Sequence, residues 1–355
     1  MGSDRGEPRF GVWAPHHGYF GAENHPDAPP DAGYGHSRAT ALLAEEAGFE
    51  SILIAQQTIS TRLRDADVLE PWTAAAAIAE ATERIEIIAA IKPLLYNPGL
   101  LAKMALGIDD ISQGRFALNV VSGWFLPELE RLGIPVLGHD ERYAYSEEWL
   151  TIVRGLFSGE RVSFEGRYLN VTDLTLRPRS VDPRGPAIYL GGESEPARRL
   201  AAEQADVFFI NGRDVPATRT LVDDLAGRPR AGAPLRFALS AFVIARATAR
   251  EAREEFAHLL DLSRQDDTSG LRKGTDPDTV MMRVNGELPT VGTNGGTNAG
   301  LVGSYDEVAE RLGEFTEAGI ELFMLQFQPL LPELRRFGDE VIPRVRAAAT
   351  PGAAK

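Results

Sequence analysis

Short apolar runs alternate with longer amphipathic segments through most of the chain. The runs contain few polar positions, which is typical of strands buried on both faces of a parallel sheet. They predict strands at Arg9–Pro15, Glu50–Ala55, Ile85–Ile91, Arg115–Val121, Ala187–Gly191, Val207–Asn211, Arg236–Ala245 and Glu321–Phe327. The segments between and after them have helical periodicity and predict helices at Ser37–Ala47, Pro71–Thr82, Pro98–Ser112, Arg142–Phe157, Glu195–Gln204, Thr218–Leu225, Arg250–Ser263, Tyr305–Ala318 and about Glu333–Ala347.

This alternation of strands and helices favours an α/β fold built as a single (β/α)8 TIM barrel over residues 9–348. An open dinucleotide-binding sheet is less consistent, because no Gly-x-Gly-x-x-Gly follows the first strand. We expect residues 1–8 to form a flexible leader and 349–355 a flexible tail.

Three segments exceed a minimal barrel and predict insertions, chiefly at its carboxyl face. Tyr19–Tyr34 is rich in Pro, Gly and Asp, Ser158–Arg184 contains a candidate hairpin, and Gln265–Gly300 is polar and ends in a glycine-rich stretch. Unstructured segments of this length in compact domains are usually functional or mobile. We expect the third, about 265–300, to be a mobile lid over the carboxyl face; the alternative is a disordered insert without a role.

Composition excludes several classes of protein. The chain has 355 residues and no cysteine, so disulfides, thiolate metal sites and a cysteine nucleophile are excluded. Its net charge of −14 and lack of a basic cluster argue against a nucleic-acid partner. No apolar run approaches the roughly 18 residues of a membrane span, and no signal peptide is evident at the N-terminus, so we expect a cytoplasmic protein without a membrane partner.

The stretch after the fourth predicted strand carries a candidate ligand site. Asn119 lies at the carboxyl end of that strand, and Ser122 and Trp124 follow it. In parallel barrels this end of the strands forms the ligand site, and an amide supplies both the donor and the acceptor that the edge of a heterocycle needs. The alternatives are an ordinary loop, a local Asx turn at Asn119 and a core position for Trp124.

Two predicted helix starts are candidates for one phosphate site. Arg142 and Tyr143 lie in the first turn of one helix, while Gly192 and Ser194 precede another. Backbone N–H groups at helix starts attract anions, and glycine permits a close approach of the backbone to a ligand. The P-loop pattern Gly-x-x-x-x-Gly-Lys-Ser/Thr is absent, so a nucleoside triphosphate is not expected.

Other polar residues follow the remaining strands. Gln56 and Gln57 end the second strand and Asn211 ends the sixth, which fits a ring-binding cavity, although satisfied loop residues are equally consistent. His16 and His17 follow the first strand, from where a proton donor could reach a ligand, although lone histidines are more often structural. No metal-ligand spacing and no nucleophilic triad are evident.

At these positions the chain resembles the bacterial luciferase-like flavin monooxygenases, and within them the group of dimethyl sulfone, alkanesulfonate and pyrimidine monooxygenases. The resemblance extends from about Phe10 to Val345 and is strongest in RFALNVVSGW, HDERY, YLGGES and GLVGSYDEVAERL. It implies a (β/α)8 barrel, reduced FMN supplied by a separate NAD(P)H-dependent FMN reductase, O2 as co-substrate, oxidation through a peroxyflavin, and a homodimer or homotetramer. The FMN contacts that it implies are Gln56, Gln57, Asn119, Glu128, Arg142, Tyr143 and Ser194, to which our reading adds Ser122 and Gly192.

The chain departs from this family where alkanesulfonate enzymes carry cationic and tyrosine side chains. The corresponding positions here are Ser240, Phe242, Asn294 and Gln328. A buried sulfonate needs cations or strong donors, so we expect a small neutral substrate, with a sulfone such as dimethyl sulfone cleaved to a sulfinate and an aldehyde. Alternatives are an alkanesulfonate or heterocyclic substrate, a deazaflavin-dependent hydride-transfer enzyme, and a flavin-binding protein without turnover. The substrate contacts that we predict are Trp13, Trp124, Asn211, Phe242, Asn294 and Phe327.

Overall fold

The structure is a computed structural model that describes residues 7–62, 65–277 and 289–349. Most of the predicted leader, the middle of the predicted lid and most of the predicted tail lie outside these ranges. The expected flexibility of the three segments stays a prediction.

Eight of the strands close into a barrel, and every neighbouring pair in it is parallel. The first and last barrel strands pair in the register Arg9 with Leu322, which completes the closure. The predicted TIM barrel is therefore confirmed. The strands in chain order are β1 Arg9–Trp13, β2 Ser51–Ile54, β3 Glu86–Ile91, β4 Phe116–Val120, β5 Val162–Glu165, β6 Asn170–Leu174, β7 Ala187–Gly191, β8 Val207–Ile210, β9 Arg236–Phe242, β10 Ile244–Arg246, β11 Val302–Ser304 and β12 Leu322–Gln326.

Helices surround the barrel and complete the predicted alternation. They are α1 Tyr34–Glu46, α2 Pro71–Ala81, α3 Pro98–Ile111, α4 Leu126–Arg131, α5 His139–Phe157, α6 Glu195–Gln204, α7 Val215–Ala226, α8 Ala249–Ser263, α9 Ser269–Gly274, α10 Tyr305–Glu317, α11 Leu330–Glu340 and α12 Ile342–Ala349, with short 3-10 turns at Pro93–Leu95 and Gly296–Ala299. N-cap side chains explain where several helices begin. For example, the Glu70 side chain accepts hydrogen bonds from the first backbone N–H groups of α2.

Alternation along each strand divides the core into two layers. Ile52 and Ile54 of β2 face outward and pack under the helices, whereas Leu53 between them points into the barrel. The barrel interior also contains Tyr189 and Met324. Both faces of the strands are thus apolar, which is why the sequence showed continuous apolar runs.

Three details differ from the predicted elements. The predicted strand Arg236–Ala245 divides into β9 and β10, because β10 leaves the barrel to pair with β11. The predicted final helix divides into α11 and α12, and the short helices α4 and α9 were not predicted. The predicted hairpin is present as the antiparallel pair β5–β6. Within the described ranges, no helix has the length and apolar character that crossing a membrane requires.

Candidate active site

A cavity of about 720 Å³ opens at the carboxyl ends of the barrel strands. Its size lies within the range of about 300–1,000 Å³ that is usual for small-molecule and cofactor sites. Most of the side chains predicted from the sequence meet there. These cavity-lining residues are Trp13, His16, His17, Gln56, Gln57, Asn119, Ser122, Trp124, Arg142, Tyr143, Gly192, Ser194, Asn211 and Asn294.

Both helix starts lie at the same cavity, although α5 begins at His139, three positions before the start predicted at Arg142. Helix α6 begins directly after Ser194, whose Oγ is buried beside the Tyr143 hydroxyl without a well-formed hydrogen bond. Gly192 has φ +124°, and a Cβ placed on it would lie 2.8 Å from the Tyr143 Oη. A side chain at position 192 would therefore fill the space between the two helix starts. Burial raises the pKa of Tyr143, so its hydroxyl is a neutral donor near pH 7.

Arg142 supplies positive charge at this end of the cavity. Its side chain is 2% exposed and donates to the Leu137 carbonyl oxygen and to the Asp276 carboxylate, which follows α9. Its Nε is buried without a hydrogen-bond partner. A cation with a spare donor beside two helix starts fits a phosphate group.

Amide oxygens line the opposite part of the cavity. Gln56 Oε1, Gln57 Oε1 and Asn119 Oδ1 are all buried and lack hydrogen-bond partners in the described structure. Buried polar atoms without partners are rare and costly, so their convergence on one cavity indicates a ligand with complementary donors. The ring edge of a flavin carries such donors and acceptors, and the residues present therefore fit FMN at both of its ends.

Ser122 and Trp124 both line the cavity but make different contacts. The Ser122 hydroxyl hydrogen-bonds with Ser146, which in turn donates to the Arg142 carbonyl oxygen. Trp124 is partly exposed, stacks obliquely on Phe125, and its backbone oxygen accepts from the Asp276 N–H. Ser122 thus supports the turn that carries Arg142, while Trp124 belongs to the cavity wall and not to the core.

Three predicted contacts are not at the cavity surface. Phe327 packs against Phe49 and Phe337 in the layer between barrel and helices, so it lies away from the cavity where the substrate contact was predicted. Phe242 is fully buried beneath Gly292, which separates it from the cavity. Glu128 also lies behind the cavity wall, where it accepts hydrogen bonds from Lys92 and from a backbone N–H, so it does not line the cavity as the predicted FMN contact requires.

Lys92 is a cavity residue that the sequence analysis missed. It directly follows β3, lines the cavity and pairs with Glu128. Its signal was a single lysine in the otherwise apolar stretch from Ile87 to Leu95.

The two histidines after β1 are neutral in the folded protein near pH 7. Burial, together with the charge of Arg62 and Lys92, lowers the pKa of His17 to about 4. Burial and the neighbouring His17 lower the pKa of His16 as well. Either imidazole can therefore offer an N–H or a lone pair at neutral pH, but neither is an imidazolium acid.

The described flanks of the predicted lid lie over the cavity. Asp266, Leu271 and Thr293 line it, and Thr293 is held by two hydrogen bonds of 2.9 Å with the Gln326 side chain. Asn294 is fixed through its carbonyl oxygen, which accepts from Gly212 N–H. These flanks therefore belong to the cavity wall, and a lid role of the whole segment stays a prediction.

The remaining departures from the alkanesulfonate pattern have structural partners. Gln328 binds the backbone of Ala22 through both its amide oxygen and its amide nitrogen, and so holds the insertion after β1. Ser240 Oγ accepts from Trp13 Nε1 at 3.2 Å. Asn211 hydrogen-bonds to Glu193, which also pairs with Arg213. These contacts shape the cavity and add no free cation to it.

Comparison with known proteins identifies the family. The model of the luciferase-like monooxygenase family matches residues 9–322. An FMNH(2)-dependent dimethylsulfone monooxygenase of Pseudomonas putida is 34% identical over 319 residues, covering 88% of each chain. One of the same name from Pseudomonas fluorescens (strain Pf0-1) is 32% identical over 351 residues, covering 95% of this chain and 94% of the relative.

Solved structures show the same fold at lower identity. DmoA from Hyphomicrobium sulfonivorans superposes with a TM-score of 0.79 at 21% identity, covering 98% of this chain and 90% of DmoA. A long-chain alkane monooxygenase gives a TM-score of 0.78 at 21% identity, covering 100% and 94%. The family match, the relatives and the barrel with its carboxyl-end cavity agree, and the chain belongs to the luciferase-like monooxygenase family.

Proposed function

We propose that this protein is the oxygenase of a two-component system that uses reduced FMN and O2 to oxidise a small neutral sulfone such as dimethyl sulfone. One oxygen atom enters the substrate, a C–S bond breaks, and the products are methanesulfinate, formaldehyde, oxidised FMN and water. The observation that carries this proposal is the convergence of buried polar atoms without well-formed hydrogen bonds on one cavity at the carboxyl end of the barrel. The names of the two curated relatives support the cofactor and the substrate class.

The protein would hold FMN at two ends. Arg142, Tyr143 and Ser194 would bind the phosphate, and Gly192 would let the backbone approach it. Gln56, Gln57 and Asn119 would hydrogen-bond the ring edge through their buried amides. When bound, reduced FMN supplies the activation of O2, which no side chain of this protein can supply.

The deeper wall of the cavity favours a neutral substrate. Trp13, Phe20 and Phe209 line it, with the Trp13 and Phe209 rings 5.7 Å apart. An apolar wall excludes water and would leave an anionic sulfonate without a partner. Three cations at the cavity surface lie in ion pairs, Arg62 with Asp266, Arg142 with Asp276 and Lys92 with Glu128, and FMN would take the donors that Arg142 and Lys92 leave open. His16 and His17 remain candidates for moving a proton as neutral imidazoles.

The proposal also implies a partner and a location. Dependence on reduced FMN requires a separate NAD(P)H-dependent FMN reductase, and such a pair would work in the cytoplasm, where NAD(P)H is made. We further propose a homodimer or homotetramer on the basis of the family resemblance.

Oxygen consumption tests the function directly. Purified protein would be mixed with FMN, NADH and an FMN reductase, and supplied with dimethyl sulfone, an alkanesulfonate or uracil in parallel. We expect substrate-dependent formation of sulfinate and formaldehyde with dimethyl sulfone and little product with the other two. Turnover that proceeds without O2 would instead indicate a hydride-transfer enzyme, and no turnover with any sulfone would overturn the substrate assignment.

A further inference from the structure

A buried lysine and glutamate lie side by side at one edge of the cavity. Lys92 is 3% exposed and Glu128 is 0% exposed. Removing two charges from water is costly, and replacing such a pair by apolar residues is often neutral or stabilising. Stability alone therefore does not explain why this pair lies at the cavity wall.

The pair is oriented so that its positive member faces the cavity. Lys92 lines the cavity, whereas Glu128 lies behind it. One carboxylate oxygen of Glu128 accepts from Lys92 Nζ, and the other accepts from the Thr58 N–H in the loop that follows Gln56 and Gln57. An ammonium has three donors and the bond to Glu128 uses one, so donors remain for a ligand.

Two neutral histidines lie near Lys92 at the cavity surface. His16 and His17 lie close enough for its charge to lower the pKa of both, and both are neutral near pH 7. The carboxylates at the cavity surface include Glu193, which pairs with Arg213, and Asp266, which pairs with Arg62. A bound molecule thus meets an ammonium held in place by a carboxylate that it does not touch.

We propose that Lys92 makes this cavity prefer reduced FMN to oxidised FMN. The reduced isoalloxazine ring carries a negative charge near neutral pH, whereas the oxidised ring is neutral. A buried cation in a region of low dielectric discriminates strongly between these two forms. This inference rests on the proposed function, because it assumes that FMN occupies the cavity. Glu128 is the positioning residue that orients the ammonium.

The test compares dissociation constants for the two redox forms of FMN. Wild-type protein, Lys92→Met and Lys92→Arg would each be titrated with oxidised FMN in air and with reduced FMN under anaerobic conditions. We expect Lys92→Met to reduce the preference for reduced FMN at least about tenfold, or about 1.4 kcal/mol, chiefly by weakening reduced FMN binding. Lys92→Arg keeps the charge and should retain much of the preference. Lys103→Met is the matched control, since it makes the same change on α3, away from the cavity.

A second variant separates charge from folding. Lys92→Met leaves Glu128 buried without its cation, so the protein could unfold. The double variant Lys92→Met/Glu128→Gln removes both charges, and we expect it to fold, as judged by its melting temperature, and still to lack the preference. An unchanged ratio of the two dissociation constants in folded Lys92→Met or in the folded double variant would overturn the inference and leave the proposed function standing. A wild-type protein that binds neither form of FMN would overturn both.

Discussion

Replacing Arg142 tests the phosphate end of the cavity and has two separable consequences. The Arg142 guanidinium pairs with Asp276 in a buried environment and donates to the Leu137 carbonyl oxygen. Arg142→Met keeps an unbranched side chain at this position and removes the guanidinium with its charge. It therefore removes the Arg142–Asp276 ion pair and also deprives a phosphate of a charged donor.

The size of both effects follows from burial. Breaking a buried ion pair by removing one partner costs about 3–5 kcal/mol of folding stability. A hydrogen bond to a charged group contributes about 1.5–3 kcal/mol, which corresponds to a loss of FMN affinity of about 10- to 150-fold. The stability loss comes from breaking the Arg142–Asp276 ion pair, whereas the affinity loss comes from the missing hydrogen bond to the phosphate.

A second substitution and a second ligand separate these effects. In Arg142→Met/Asp276→Asn the carboxylate that paired with Arg142 is gone as well, so stability in urea should recover in part while FMN affinity stays low. Riboflavin has the same ring and lacks the phosphate, so its affinity should be nearly the same in wild type and in the double variant. Fluorescence titration measures both ligands.

Either of two results would contradict a contact between Arg142 and the phosphate. One is recovery of FMN affinity in the double variant, which would mean that the single substitution acted through misfolding. The other is an equal loss of affinity for FMN and riboflavin, which would place Arg142 away from the phosphate.

Three further predictions concern single positions. Gly192→Ala should cost about 1–3 kcal/mol of stability and weaken FMN binding, because Gly192 has φ +124° and its new Cβ would meet Tyr143. Gly191→Ala is the matched control, since no heavy atom lies within 4 Å of a Cβ placed there. Equal effects at the two positions would contradict a specific role of Gly192. His17 has a folded pKa of about 4 against 6.5 when unfolded, so the unfolded state binds more protons between these values and stability is lost as pH falls from about 6.5 to 4. Denaturation should show a loss of up to about 3 kcal/mol from this group in wild type that is absent in His17→Asn; equal pH dependence in the two proteins would argue against a buried neutral imidazole. Asn119→Leu removes a buried acceptor without a partner, so the ligand-free protein should melt at the same or a higher temperature while FMN affinity falls about tenfold; unchanged affinity would exclude Asn119 as a ring contact.

The barrel could be predicted from the sequence because its strands are buried on both faces. Continuous apolar runs such as the one ending in Asn119 identify such strands without any knowledge of their neighbours. The cavity could be predicted for the same reason, since polar residues directly after those runs must meet at the carboxyl end. Gln56, Asn119 and Ser194 were found in this way, and all three line the cavity.

The remaining features depend on contacts between distant parts of the chain. Arg142 and Asp276 are separated by 134 positions, and Lys92 and Glu128 by 36. No local pattern marks such pairs, and Glu128 was assigned to the ligand through the family resemblance. Phe327 lies just beyond β12, where strand alternation no longer tells whether a side chain faces the cavity or the helices. Its ring packs against Phe49 and Phe337.

A crystal structure of the protein with FMN is the most direct test of flavin binding in this cavity. We predict the phosphate between Arg142, Tyr143 and Ser194, with the ring edge against Gln56, Gln57 and Asn119. A flavin found elsewhere on the barrel, or bound in this cavity with its phosphate at the amide end, would contradict that arrangement.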